Sequence, residues 1–292
     1  MVRQAKKVPR TPAPKQNRSR RKRHKGHKLR TALVIMGLCV VISVGGLLAY
    51  LRGSNPATMG IDISHHQGEI DWTEVAASGQ VQFVYVKASE GVKLDDECYQ
   101  KNVKEARSQG LMAGAYHFFR SDADGEKQFE HFKRAAGRDF DLIPMLDLEA
   151  DGGKIADKAE YRRQVEAFVQ CCEREYGTPP VLYSGISFWK DFVQPAASWC
   201  PYWAAWYPMK KTEPGLKGLL QVVKGRIITW LTGWSGRKKM MDLTHPDLGA
   251  MTWQYSDKGH IPGIKGYVDM DECWDIEKLK WKHVKKKKKP IY

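Results

Sequence analysis

The sequence predicts an α/β barrel that follows a single membrane-spanning helix. Three observations lead to this prediction. Eight apolar runs of strand length recur along the chain, helix-like stretches separate the early runs, and an uncharged segment precedes them all. Alternating strands and helices are typical of parallel strands with crossover helices, and eight strands in about 225 residues match the size of a closed barrel.

The predicted strands are apolar runs bounded by turn residues. They are Met59–Ile63, Val81–Ala88, Leu111–Phe118, Leu142–Leu148, Pro180–Tyr183, Tyr202–Trp206, Ala250–Tyr255 and Gly266–Asp269. Helices are predicted at Ile70–Ser78, Asp95–Gln109, Asp124–Ala136 and Asp157–Tyr176. A glycine follows each of the last three helices, as expected where a helix ends. The long stretch Pro208–Gly249 is irregular, and its part Val222–Trp234 is apolar enough for either a strand or a helix.

The membrane helix is predicted at residues 31–51, which contain no charge over 21 positions. As a helix this segment is roughly 31 Å long, the thickness of a bilayer core. Thirteen Lys and Arg residues precede it, so the positive-inside rule leaves the N-terminus in the cytoplasm and the domain outside the cell. A cleaved signal peptide is the alternative, but it needs a shorter apolar region and a small-x-small site. The residues around Ala49–Ser54 do not provide a good one, which favours an uncleaved anchor.

The formal net charge of +15 belongs to the ends of the chain. Residues 1–30 hold 13 basic residues and residues 278–292 hold 8, whereas residues 53–277 have a net charge of −7. This distribution disfavours nucleic acid as a partner of the barrel. We expect the basic tails to contact anionic lipid or an anionic wall polymer, unless the Lys-rich end is simply solvated.

These observations divide the chain into five parts. They are a basic cytoplasmic tail (1–30), a transmembrane anchor (31–51), a linker (52–58), the barrel (59–277) and a Lys-rich tail (278–292). Five cysteines lie in the outer part, namely Cys98, Cys171, Cys172, Cys200 and Cys273. An oxidising exterior allows one or two disulfides among them, with the pairing left open.

Candidate site residues gather at the carboxyl ends of the predicted strands, where barrels of this kind have their active sites. They are Asp62, Glu90, Tyr116, His117, Asp147, Glu149, Tyr183, Trp206, Gln254, Tyr255 and Asp269. The set is rich in carboxylates and aromatic rings and contains no Lys or Arg. Acids supply proton transfer and electrostatic stabilisation, and aromatic faces stack on sugar rings. The pattern indicates a carbohydrate substrate.

Asp147 and Glu149 form the sharpest element of this set. Residues two apart on a strand share one face, so both carboxyl groups are expected at the barrel mouth. Two carboxylates so close cannot both ionise freely, and one holds its proton to higher pH as a coupled pair. Glycoside hydrolysis needs such an acid to protonate the departing sugar oxygen. A solvent-exposed D-x-E without function is the alternative.

Between Gly60 and Asp275, eight short motifs follow one another in order: Gly60–Gly68 (GIDISHHQG) with Ile70–Trp72, Phe83–Gly91 (FVYVKASEG), Gly114–Phe118 (GAYHF), Pro144–Glu149 (PMLDLE), Leu182–Ser184, Trp203–Tyr207 (WAAWY), Trp253–Tyr255 (WQY) and Val268–Asp269. In these motifs the chain resembles glycoside hydrolase family 25, the lysozymes that cleave peptidoglycan as N-acetylmuramidases. Each stretch is weak alone, but eight in order are specific.

The resemblance implies a (β/α)5(β)3 fold, a modified TIM barrel whose last three strands lack normal helices. It also implies that Glu149 is the general acid, and that Asp147, Asp62 and Asp269 complete an acidic cleft that orients the N-acetyl group or stabilises positive charge. No cofactor or metal is implied, and the pair His65-His66 lacks the spaced third ligand that a metal site needs. The sequence departs from the family in the long Tyr207–Trp253 segment and in Asp271, where the family commonly has asparagine.

The remaining strand-end residues are predicted to contact the substrate. They are Tyr116, Tyr183, Trp206, Gln254, Tyr255 and Glu90, although Glu90 fits a salt bridge at the barrel mouth equally well. Two functions remain to be compared. One is a membrane-anchored enzyme that cleaves the β-1,4 bond of peptidoglycan, and the other is a non-catalytic wall-binding module. The complete acidic set favours the enzyme, because a pure binder has no need for mutually repelling acids.

Overall fold

The structure is a computed structural model that describes residues 34–37, 39–43, 57–152, 155–194, 197, 199–207 and 249–281. Residues 34–37 and 39–43 are helical (α1) and exposed. Within the described ranges, no helix has both the length and the apolar character needed to cross a bilayer. The predicted basic tail, the rest of the predicted anchor, the 208–248 segment and most of the Lys-rich tail lie outside the described residues.

Nine strands form one sheet, and eight of them close into a barrel. The strands are Thr58–Ile63 (β1), Phe83–Glu90 (β2), Leu94–Asp95 (β3), Met112–Phe118 (β4), Met145–Asp147 (β5), Val181–Gly185 (β6), Tyr202–Ala205 (β7), Thr252–Gly259 (β8) and Val268–Cys273 (β9). The sheet runs β1-β9-β8-β7-β6-β5-β4-β2-β3, and β1 also pairs with β2, which closes the ring and leaves the short β3 outside it. Every predicted strand is present.

Helices follow the first five barrel strands. They are Trp72–Ala77 (α2), Tyr99–Ser108 (α3), Gly125–Ala136 (α4), Lys158–Tyr176 (α5) and Ile186–Phe188 (α6), the last of these continuing into a π-turn at Trp189–Val193. A short helix, Ile276–Leu279 (α7), follows β9. The side chains of Asp71, Asp124 and Asp157 cap α2, α4 and α5 by accepting from free backbone N–H groups of the first turn. The predicted α/β barrel is confirmed.

The direction of the last strand differs from the prediction. Strand–helix alternation predicted parallel pairing, and the barrel strands β1, β2 and β4 to β8 are indeed parallel to one another. In contrast, β9 is antiparallel to both β8 and β1. Only eight residues separate the end of β8 at Gly259 from the start of β9 at Val268. A parallel crossover needs a dozen or more residues, so this connection joins antiparallel strands.

Buried side chains form two layers on opposite faces of the sheet. An inner layer fills the barrel and includes Phe83, Tyr85, Met145 and Trp203. An outer layer lies between the strands and the helices and includes Ile61, Val84, Phe129, Phe132 and Phe168. Small residues make room for the inner rings, since a Cβ at Gly60 would come within 2.2 Å of the Phe83 ring. The barrel is therefore a packed core with its chemistry at one end.

All six cysteines are free thiols in the structure. Cys171, Cys172, Cys200 and Cys273 are buried, and burial raises the pKa of each thiol above its ordinary value. The one or two disulfides that the sequence left open are not formed.

Candidate active site

The four predicted catalytic carboxyls meet at the barrel mouth. Asp62 and Asp269 are directly opposed on the antiparallel pair of β1 and β9. Asp147 ends β5, and Glu149 follows it two residues later. The charge of Glu149 raises the pKa of both aspartates 62 and 147, and Asp269 also acts on Asp147, so the four groups lie within electrostatic reach of one another.

Asp62 lies at the centre of this group. Its Oδ2 accepts a hydrogen bond of 2.6 Å from Nε2 of Gln254. Burial raises the pKa of Asp62 to about 6, and the charge of Glu149 adds to the rise, while the Gln254 amide opposes it. Asp62 therefore changes charge in the mildly acidic range, whereas an ordinary aspartate stays ionised there.

Asp147 and Glu149 both hold their protons to higher pH than ordinary carboxyls. Burial raises the pKa of Asp147 well above its usual range, and the charges of Glu149, Asp62 and Asp269 raise it further. Burial also raises the pKa of Glu149. The sequence predicted a coupled pair, but it assigned the rise on Glu149 to its neighbour. In the structure, removal from water is the main cause for both groups.

Gln254 connects the acids to the tyrosines of the mouth. The hydroxyl of Tyr183 donates to Oε1 of Gln254 at 2.7 Å, and the hydroxyl of Tyr207 is hydrogen-bonded to the same oxygen. The Tyr183 hydroxyl also contacts Glu149, whose pKa it lowers. Tyr183 and Gln254 therefore belong to the framework that orients the carboxyls, and Tyr207 is a member of this framework that the sequence did not single out.

Glu90 lies at the mouth in a network of ion pairs. Its Oε2 is 2.6 Å from Nζ of Lys87, and its Oε1 is 3.5 Å from Nη1 of Arg120. Lys87 is buried, and its charge lowers the pKa of Asp147. Lys87 was not among the strand-end candidates, a set that contains no Lys or Arg. It lies three residues before Glu90, and the pleat turns it inward two residues after Tyr85.

The other predicted contacts divide between the two faces of the sheet. Tyr116 is buried in the inner layer, and burial together with the charges of Asp62 and Asp147 raises the pKa of its hydroxyl. Trp206 and Tyr255 are half-buried and pack against the outer layer, where the Trp206 ring stacks on Trp253 at 5.6 Å. The contact of Trp206 and Tyr255 with substrate stays a prediction.

His117 is separated from the site by the sheet. It is buried in the outer layer, with Nδ1 2.9 Å from Oγ of Ser89 and Nε2 3.2 Å from Oε1 of Gln128. Burial lowers its pKa to about 3, so the ring is neutral at physiological pH. Although the sequence placed it among the strand-end candidates, His117 is a packing residue that alternates with the inward-facing Tyr116.

Asp271 is the acid that the sequence undervalued. It is fully buried in the barrel beneath Asp62, and neither of its carboxyl oxygens accepts a hydrogen bond from the described residues. In that same part of the chain, no three His, Cys, Asp or Glu side chains are arranged to hold a metal ion. Asp271 therefore adds a fifth carboxyl group below the four at the mouth.

A closed α/β barrel with buried, electrostatically coupled carboxyls at its mouth has the architecture of a glycosidase. The family profile described as glycosyl hydrolases family 25 matches residues 61–264. The chain belongs to this family, and the resemblance seen in its motifs is confirmed.

Curated relatives include proteins named as lysozymes. The chain is 30% identical over 222 residues to the uncharacterized protein YegX of Escherichia coli (strain K12), covering 73% of this chain and 68% of YegX. It is 27% identical to lysozyme M1 of Streptomyces globisporus, over 73% of this chain and 66% of that protein. It is 28% identical to the autolytic lysozyme of Clostridium acetobutylicum, over 73% of this chain and 55% of that protein.

Solved structures share the fold. The bacterial lysozyme of Streptomyces coelicolor is 25% identical with a TM-score of 0.58, over 75% of this chain and 93% of that chain. A family 25 glycosyl hydrolase from Bacillus anthracis aligns with a TM-score of 0.60 at 22% identity, over 78% of this chain and all of that chain. At this identity the second match is a likeness of fold alone.

Proposed function

We propose that this protein is a lysozyme that cleaves the β-1,4 bond between N-acetylmuramic acid and N-acetylglucosamine in peptidoglycan. The observation that carries the proposal is the meeting of Asp62, Asp147, Glu149 and Asp269 at one end of a family 25 barrel. Two relatives that are named lysozymes support the same reaction.

Glu149 is the general acid of the proposed reaction. Burial raises the pKa of Glu149, so the group keeps its proton at a higher pH than a solvated glutamate does. It donates this proton to the oxygen of the sugar bond as that bond breaks. Glu149 follows the end of β5 closely enough to share the mouth with Asp147. It is half-buried, which leaves it open to substrate.

Asp62 supplies negative charge where positive charge develops. Glycoside cleavage passes through an oxocarbenium-like transition state, which a fixed carboxylate stabilises. Gln254 holds one oxygen of Asp62 in place and favours its ionised form. Asp269, opposite Asp62 on β9, and Asp147, at the end of β5, complete the acidic cleft, and burial raises the pKa of Asp147 well above its usual range.

The experiment compares Glu149→Gln with Glu130→Gln in the full chain. Glutamine keeps the size of the side chain but has no proton to donate, so release of soluble glycan from purified peptidoglycan falls by about 10²–10⁴-fold. Glu130 is an exposed glutamate on α4 that pairs with Lys133, and its substitution leaves the rate unchanged. Thermal unfolding checks that both variants are folded.

Two results would contradict the proposal, each in a different way. A wild-type chain that binds peptidoglycan without releasing glycan is a binding module. A Glu149→Gln variant that keeps the wild-type rate removes this residue from the acid role.

We further propose that residues 31–51 anchor the enzyme with its barrel outside the cell. The segment is uncharged, and the side chains of Val34, Ile35, Val41 and Ile42 in α1 are 56–69% exposed. Exposed apolar side chains on a helix are unfavourable in water and favourable in lipid. The basic residues before the segment contact anionic lipid on the cytoplasmic side.

Cell fractionation tests the anchor. The full chain sediments with membranes and is released by detergent but not by high salt, while a chain that begins at Gly53 is recovered in the soluble fraction. External protease digests the barrel of intact cells stripped of wall. Recovery of the full chain in the soluble fraction overturns the proposal.

A further inference from the structure

Asp271 lies one layer below the acids of the mouth. Its Cα pairs with Gly60 on β1 and with Gln254 on β8, so it lies between the two strands that carry Asp62 and its amide donor. The residue is 0% exposed. A carboxyl group this deep costs free energy if it is charged and unpartnered. The position therefore requires an explanation beyond packing.

The contact between Asp271 and Asp62 requires a proton. Asp62 and Asp271 are diagonal neighbours on the same face of the β1–β9 pair, and each changes the pKa of the other. Ionised carboxylates only accept hydrogen bonds, so one member of the pair must be protonated for a contact between them to be favourable. Asp62 already accepts the Nε2–H of Gln254, which stabilises its ionised form. Asp271 accepts no hydrogen bond from the described residues, and the nearby indole N–H of Trp203 is itself unpartnered there.

The other groups around Asp271 favour the same assignment. Burial is the largest cause that raises its pKa, followed by the charges of Asp62 and Asp269, while the indole of Trp203 opposes the rise. The remaining titratable neighbours are Tyr85 on β2 and Cys273 on β9. Both are neutral at physiological pH, because burial raises the pKa of each. The proton therefore belongs on Asp271.

We propose that Asp271 is a positioning residue that stays a neutral carboxylic acid and donates its O–H to Asp62. With the amide of Gln254, it gives the Asp62 carboxylate a second donor and fixes its orientation at the mouth. The protonation of Asp271 is a property of the folded barrel, while its effect on turnover rests on the proposed lysozyme activity.

Two substitutions in the full chain test this role. Asp271→Asn keeps a donor of the same shape that cannot ionise, so the activity and the acid limb of its pH profile remain as in the wild type. Asp271→Leu keeps the volume but removes the donor, so the pKa of Asp62 rises and the acid limb moves to higher pH with a lower maximal rate.

Infrared spectroscopy tests the proton without reference to activity. At neutral pH the wild type minus Asp271→Asn difference spectrum contains the C=O band of a protonated carboxyl, and protons on the other acids cancel. A carboxyl whose pKa is raised by folding binds its proton more tightly in the native state, so stability falls as pH rises above the ordinary carboxyl range. At neutral pH, Asp271→Asn therefore releases about one proton fewer on unfolding.

The outcomes separate this proposal from the proposed function. A difference spectrum that shows an ionised carboxylate at neutral pH overturns the neutral Asp271, whatever the activity. A folded Asp271→Asn variant without activity also overturns it, since the charge is then required. An acid limb that does not move in Asp271→Leu reduces Asp271 to a packing residue. A wild type without activity, combined with the protonated-carboxyl band, rejects the lysozyme and retains the assignment of the proton.

Discussion

Buried aspartates in two regions of the molecule, the loop after β3 and the inside of the barrel, differ in their hydrogen bonds. Asp96, in the loop after β3, is buried and satisfied: its Oδ2 accepts from the backbone N and Nδ1 of His65, and its Oδ1 accepts from the backbone N of Cys98. Inside the barrel, one oxygen of Asp147 and both oxygens of Asp271 accept no hydrogen bond from the described residues.

This difference separates acids that have a structural role from acids that are candidates for catalysis. A buried carboxylate that is fully hydrogen-bonded stabilises its surroundings. A buried carboxyl that lacks donors is held by the fold at a cost and keeps its proton. Carboxyl oxygens at the mouth of a barrel that accept no hydrogen bond from the protein can accept one from a substrate. Hydrogen-bond satisfaction therefore distinguishes the candidate site better than burial or charge alone.

The largest effect on stability is expected in the outer layer, at Phe168. Its ring is fully buried and packs on His117 and Phe129 at centroid distances of 5.3 and 5.5 Å. Phe168→Ala leaves a cavity and lowers the free energy of unfolding by about 3–5 kcal/mol, while the folded fraction keeps its turnover. Denaturant unfolding measures the loss. Tyr267→Ala, at an exposed ring, is the control and costs less than about 0.5 kcal/mol.

A matched pair of substitutions tests the comparison directly. Asp96→Asn replaces an acceptor by a donor that faces the N–H groups of His65, so it lowers the free energy of unfolding by about 1–3 kcal/mol and leaves turnover intact. Asp147→Asn loses no bond at Oδ1, so stability is retained while activity falls on the order of a hundredfold. The same loss of stability in both variants would show that the two regions do not differ.

Gln254 sharpens the comparison within the inner layer. Gln254→Met removes the amide that donates to Asp62 and favours its ionised form. The pKa of Asp62, about 6 in the wild type, therefore rises, and the acid limb of activity moves up by as much as about one pH unit. Rates measured from pH 4 to 9 check this shift, with Gln109→Met on the surface as the control. An unmoved limb would exclude Gln254 as the donor that sets the charge of Asp62.

The strands and helices were predictable because their signals are local. Buried strands with both faces covered read as continuous apolar runs, and aspartate caps and terminal glycines mark the helices. Gly177 ends α5 in the left-handed conformation that the sequence pattern predicts, with φ of 79°. The reversed β9 was not predictable in this way, because an apolar run has no direction and only the length of its connection reveals it.

The sequence predicted which residues form the site, but not the direction in which each side chain points. Asp62, Asp147, Glu149 and Asp269 are close together because the strand ends of a barrel converge. Adjacent positions on a strand, however, face opposite layers, so Gln254 points into the barrel while its neighbour Tyr255 packs outside. A shift of one residue in the assumed phase exchanges such a pair. The depth of Asp271 depends on the closure of the sheet, which no local pattern contains.

The most direct test of the account identifies the new sugar end that the enzyme creates. Peptidoglycan is digested with the full chain, reduced with borohydride and analysed by mass spectrometry. The account predicts fragments that end in reduced N-acetylmuramic acid, and no such fragments with the Glu149→Gln variant. Fragments that end in reduced N-acetylglucosamine, or free stem peptides with intact glycan, would contradict it.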